Sequence, residues 1–105
     1  MMTFIARMQV NPGMEAQFEE LARELTEKVR ANEPGCVAYE FYRLPDTERG
    51  YAVYESFVDE AAEEAHRDTP YFHELAPPLI ECIDGEYVRE FLDHIGGTSA
   101  ISHGS

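Results

Sequence analysis

The feature that most constrains this chain is a change of hydrophobic period near its start. From Thr3 to Val10, Phe4, Ala6, Met8 and Val10 fall on one face and Thr3, Ile5, Arg7 and Gln9 on the other, the period-2 pattern of a β-strand. Asn11-Pro12-Gly13 is a turn signal, and from Met14 the apolar residues are Met14, Phe18, Leu21, Ala22, Leu25 and Val29. Spacing by three and four predicts an amphipathic helix of about five turns, ending near Asn32-Glu33-Pro34-Gly35.

Two further runs of β-formers, Cys36 to Leu44 and Tyr51 to Val58, flank the loop 45–50 and predict an antiparallel hairpin. Asp59 reads as the N-cap of a second helix carrying Ala61, Ala62, Ala65 and His66, which Pro70 interrupts. Another turn or two is expected over Tyr71 to Ala76, before Pro77-Pro78, and a last strand over Gly85 to Leu92. The order βαββαβ, with a right-handed crossover, predicts an α+β, ferredoxin-like domain over residues 1–95, with an antiparallel sheet and both helices on one face. Residues 96–105 read as a disordered tail. The second and third strands carry aromatic or apolar residues on both faces, Tyr39 and Phe41 against Ala38 and Tyr42, and Tyr51, Val53 and Phe57 against Ala52, Tyr54 and Val58. A sheet apolar on both sides predicts a homodimer packed sheet to sheet.

Composition narrows the partners. Eight basic against 21 acidic residues give a net charge of −13, which repels phosphate backbones and anionic headgroups, so neither nucleic acid nor membrane is expected as a partner. No apolar run approaches the ~20 residues that span a bilayer, and Arg7 and Gln9 break any secretory pattern, so a cytoplasmic protein is expected. Cys36 and Cys82 lack metal or redox spacing and read as small buried hydrophobes.

The chain resembles the antibiotic biosynthesis monooxygenase family of dimeric α/β barrel proteins, which includes quinol monooxygenases. The resemblance covers about residues 3–92. It rests on Pro12-Gly13, on Glu33-Pro34-Gly35-Cys36 with Tyr39 and Glu40, on Tyr54-Glu55-Ser56-Phe57-Val58-Asp59-Glu60-Ala61, on His66, and on Pro70-Tyr71-Phe72. The family commonly has tryptophan where Phe57 stands, and this chain has none. The Asn, Trp and axial His of haem-degrading relatives are also missing, with Arg7 and Ala76 at the Asn and His positions, which argues against haem. The resemblance therefore implies oxidation of a quinol or polycyclic phenol by O2 without cofactor or metal. The alternatives are a non-oxidative isomerase of a small signalling metabolite and a non-catalytic dimeric domain that binds a small aromatic or hydrophobic molecule.

Such chemistry needs a base, groups that orient the ring, and exclusion of water. His66, on the apolar side of the second helix, is the candidate base; the alternative is a satisfied core histidine. Tyr54, Phe57, Tyr71, Phe72 and His73 are candidate substrate contacts, each with packing or simple surface exposure as the alternative. Arg7 could hold an anionic oxygen, pair with Glu40 or Glu55, or contact a partner subunit.

Overall fold

The structure, a computed structural model, describes residues 1–98. Seven elements follow in order: β1 (Met2–Gln9), α1 (Glu15–Asn32), β2 (Cys36–Arg43), β3 (Gly50–Phe57), α2 (Glu60–Arg67), α3 (Pro70–Glu81) and β4 (Arg89–Phe91). The strands form one sheet in the order β2-β3-β1-β4, antiparallel at every junction. This is the ferredoxin-like α+β fold that the element order predicts. No helix of the described residues is long and apolar enough to cross a membrane.

The alternation in β1 and the helical period in α1 meet in one core. Phe4, Ala6 and Met8 from β1 and Val10 just beyond it pack with Phe18, Ala22, Leu25 and Val29 from α1, all nearly inaccessible to solvent. Tyr51, Val53 and Phe57 extend the same face across β3, and Leu75 and Leu79 of α3 close it. Residues directly opposed across antiparallel strands share a face. The pairing of Ala6 with Val53 is therefore an inner pair, and that of Ile5 with Tyr54 an outer one.

The outward face is more polar than its residue types suggest. Ile5, Tyr54 and Tyr42 stand there, but Thr3 and Ser56 share a hydroxyl hydrogen bond of 2.8 Å and Tyr42 donates to Glu40 at 2.8 Å. The expected apolar and aromatic residues of the second face thus stand among polar pairs.

Two elements differ from expectation. The second helical segment breaks where Pro70 predicts, with Thr69 capping α3 by accepting from Phe72 N at 3.3 Å, but α3 then runs through Pro77 and Pro78 to Glu81. Each proline removes a helical donor. The carbonyls left without one belong to His73 and Glu74, which are exposed to water, while Leu75, Ala76 and Leu79 anchor the inner side. The last strand is short. Gly85 sits at φ +83°, outside strand geometry, so the chain leaves β1 after Asp84 N donates to Gln9 O and rejoins it only at Arg89. The C-terminal stretch 99–105 of the expected tail lies outside the described residues.

Candidate functional site

The turn between α1 and β2 carries the residue on which the site hangs. Val58 N donates to Gly35 O at 2.9 Å, and a Cβ on Gly35 would lie only 3.0 Å from that of Ala62, so glycine lets this turn pass close against α2. Asp59 starts α2 by accepting from Ala62 N at 2.8 Å. One turn further on, His66 points inward and is 2% exposed.

Its Nδ1 lies 3.0 Å from both carboxylate oxygens of Glu33, and the same carboxylate accepts from the Tyr71 hydroxyl. Since a carboxylate only accepts, Nδ1 is the nitrogen that carries a proton, and the ring is oriented by its partner. No described residue hydrogen-bonds Nε2. Three aromatic rings surround the imidazole: Phe72 at 4.8 Å, Tyr39 at 5.0 Å and Phe57 at 5.4 Å between centroids.

His66 lines a cavity of about 80 Å³ between the inner sheet face and α2–α3, walled by Phe4, Tyr39, Val53, Phe72 and Leu79. Two larger grooves, of about 560 and 600 Å³, flank β2, but neither contains any of the three buried polar residues Ser56, Glu63 and His66. The small cavity is where the chemistry gathers. Two carboxyls line it, Glu63 and Glu55, while a third, Glu33, lines the groove of about 600 Å³ and reaches His66 from that side. Glu63, 2% exposed, accepts from Arg67 Nε at 2.7 Å and Nη2 at 2.9 Å, with Arg89 at 3.5 Å. Burial alone would raise its pKa, but the two guanidiniums outweigh it and hold the carboxyl below its ordinary value. Glu33 is committed to His66 and Tyr71. Glu55 accepts no hydrogen bond from any described residue, and burial, reinforced by the charges of Glu63 and Glu33 and only partly offset by Arg89, pushes its pKa up to about 8. Burial and the bond to Glu33 raise the Tyr71 phenol as well. Among the described residues, no group of three or more His, Cys, Asp or Glu side chains is placed to hold a metal ion.

Of the residues singled out from the sequence, His66 and Phe72 line this cavity, Phe57 packs against the imidazole, and Tyr71 joins through Glu33. The other three lie elsewhere. Tyr54 pairs with Ile5 on the outward face, and His73 is exposed on α3. Arg7 faces outward opposite Ala52 and pairs with Glu90 of β4 at 2.5 Å, both side chains 55% exposed. Neither expected partner is in reach, because Glu55 points to the inner face and β3 separates Glu40 on β2 from β1. Glu33, Glu55, Glu63 and Arg89 were not among the expected site residues. Only Glu55 had a readable signal, as the acidic residue within the inward set Tyr51, Val53 and Phe57.

The comparisons with known proteins agree with this architecture. A Caulobacter crescentus protein, provisionally named for the antibiotic biosynthesis monooxygenases, superposes with a TM-score of 0.83 at 33% identity over 90% of each chain. A conserved Methanosarcina mazei protein does so at 0.78 and 27% identity, over 87% of this chain and 89% of its own. In sequence, an uncharacterised Synechocystis protein is 34% identical over 76 residues, 70% of this chain. The chain spans about half the length of that relative, 51%. The sequence model of the antibiotic biosynthesis monooxygenase family matches residues 1–77, which take in β1 through most of α3 and with them Glu33, Glu55, Glu63, His66, Tyr71 and Phe72. By sequence and by fold, the chain belongs to the antibiotic biosynthesis monooxygenase family.

Proposed function

We propose that the protein is a cofactor-independent monooxygenase that oxidises a single-ring quinol with O2, with His66 as the base. The observation that carries this reading is the imidazole itself: walled by aromatic rings, held through Nδ1 by Glu33, and with Nε2 left without a partner among the described residues. A neutral imidazole nitrogen in such a site accepts a phenolic proton near neutral pH. The electron-rich anion then reacts with O2, one oxygen atom entering the ring and the other leaving as water. A quinol supplies all the electrons for this, since one hydroquinone and one O2 balance as one hydroxybenzoquinone and one water. The aromatic walls keep bulk water from the anion.

The cavity size favours one ring over a polycyclic phenol. About 80 Å³ is below the ~150 Å³ of a cavity that holds benzene, so even one ring enters only with the rim residues Tyr87 and Arg89 drawn aside. Phe57 and Phe72 act as walls, and Tyr71 acts through Glu33. We further infer a cytoplasmic homodimer joined through the outward sheet face. There Ile5, Tyr42 and Tyr54 supply apolar area, and Arg7 is a subunit contact in addition to its pair with Glu90.

The test is oxygen uptake by metal-free protein with hydroquinone. Uptake is expected, with a loss of at least ~100-fold in His66→Ala, the usual worth of a general base. Product formed without oxygen consumption would point to the isomerase, and binding without turnover to a ligand-binding domain; either overturns the reading.

A further inference from the structure

Glu55 occupies a place where a charged side chain is not expected. It stands between Val53 and Phe57 on the inner face of β3, directly opposite Phe4 of β1 on one side and Tyr39 of β2 on the other. The cavity that His66 lines opens onto it. Glu55 lines that cavity, is partly exposed, and accepts no hydrogen bond from any described residue, so its carboxyl is available to a molecule held there. Each neighbouring cation is already engaged. Arg67 is bidentate to Glu63, while Arg89 lies 4.6 Å over the Phe4 ring and shares Glu63 at 3.5 Å.

We propose that Glu55 is a ligand-contacting group of this cavity, its carboxyl O–H donating a hydrogen bond to a carbonyl-type oxygen on a small uncharged ring compound. The inference rests on reading the His66 cavity as a ligand site, but not on oxygen chemistry at that site. The charges around Glu55 favour a neutral ligand. Glu63 is balanced by Arg67 and Arg89 on the α2 and β4 sides, and an incoming ammonium would meet the Arg89 guanidinium at the rim. The remaining neighbours are the Tyr39 and Tyr87 phenols, the Cys36 thiol, His66 tied to Glu33, and Glu33 itself; of these the Glu33 carboxylate favours the protonated carboxyl further. With a pKa near 8, Glu55 is a donor at neutral pH and stops being one above it.

Cyclopentanone, cyclopentanol and cyclopentylamine serve as probes, since their five-membered rings suit a cavity of about 80 Å³ and none of them changes charge between about pH 6 and pH 9. Affinity is read by chemical-shift titration of the intact protein. Cyclopentanone should bind wild type at about pH 7 at least tenfold more tightly than cyclopentylamine. Its affinity should fall about tenfold by about pH 9, in proportion to the fraction of Glu55 still protonated. Glu55→Gln, whose amide still donates, should keep the neutral-pH affinity within about threefold and lose the pH dependence. Glu55→Leu should weaken cyclopentanone about tenfold. A flat wild-type profile, a Glu55→Gln profile that follows wild type, tighter binding of the amine, or no binding at millimolar concentration would each overturn the proposal. Because no turnover is measured, a protein that binds in this way but consumes no oxygen keeps the Glu55 inference and loses the monooxygenase reading.

Discussion

Removing the Glu33 carboxylate is the sharpest test of how the site is held. In Glu33→Ala two partners lose their acceptor at once: His66 Nδ1, which lies 3.0 Å from both oxygens, and the Tyr71 hydroxyl. Hydrogen bonds to a charged group contribute roughly 1.5–3 kcal/mol each. The His66 link should stand near the upper end, because the imidazole is 2% exposed and the carboxylate side chain 11%, so water cannot replace the lost partner. The Tyr71 link should stand lower, since its ring is only half-buried and its hydroxyl can turn to solvent. Allowing for the desolvation of Glu33 that the variant no longer suffers, the expected loss is about 3 kcal/mol. For a domain of this size that is a fall in Tm of roughly 15 °C. The Glu33 backbone carbonyl still accepts from Cys36 N at 3.0 Å, so the turn itself survives the substitution. Urea unfolding followed by circular dichroism reads the change as a shift in midpoint at constant slope. Tyr71→Phe alone should cost about 1 kcal/mol, and the double variant should be no less stable than Glu33→Ala, since the phenol has lost its acceptor in both. A Glu33→Ala protein within about 1 kcal/mol of wild type, or fully additive losses, would refute the shared anchor.

Two other groups give independent predictions. A Glu55 pKa raised from 4.5 to about 8 on folding means that the protonated group stabilises the fold fully below about pH 4.5, and that this contribution is lost as pH rises through about 8. Glu55→Gln should therefore gain on wild type by a few kcal/mol between about pH 5 and pH 9 in thermal melts, and parallel pH profiles would refute the shift. Cys36, its thiol pushed up to about 12 by burial and by the nearby Glu33 and Glu55 charges, should react with iodoacetamide at about pH 8 at least ~100-fold more slowly in the native than in the unfolded protein. A native rate within tenfold of the unfolded one would show the thiol to be ordinary.

What the sequence disclosed, and what it withheld, follows from how local each interaction is. The period-2 pattern of β1 and the three-four spacing of α1 are legible because each element buries one face only, so Phe4, Ala6, Met8 and Val10 declare their direction residue by residue. The same alternation already placed Arg7 and Tyr54 opposite to that face, and the register with Ala52 and Ile5 makes their separation from the His66 cavity definite. The continuation of α3 through Pro77 and Pro78 was not legible, because a local rule against proline is overridden there by the packing of Leu75, Ala76 and Leu79. Glu33 was not legible either. It reads as part of a turn, and the imidazole it orients lies 33 residues away, brought near only by the close passage of Gly35 against Ala62. Glu55 is the instructive case, since its address on the inner face could be counted off from Tyr51, Val53 and Phe57. Taken as a mere partner for Arg7, it looked ordinary; taken as a carboxyl on a buried face, it breaks the hydrophobic pattern. Among residues that otherwise agree on one fold, such a break has a cost in stability and marks where function has overruled packing. That the break falls on the cavity lined by His66, and on none of the outward-facing positions, is the reason to seek the ligand there.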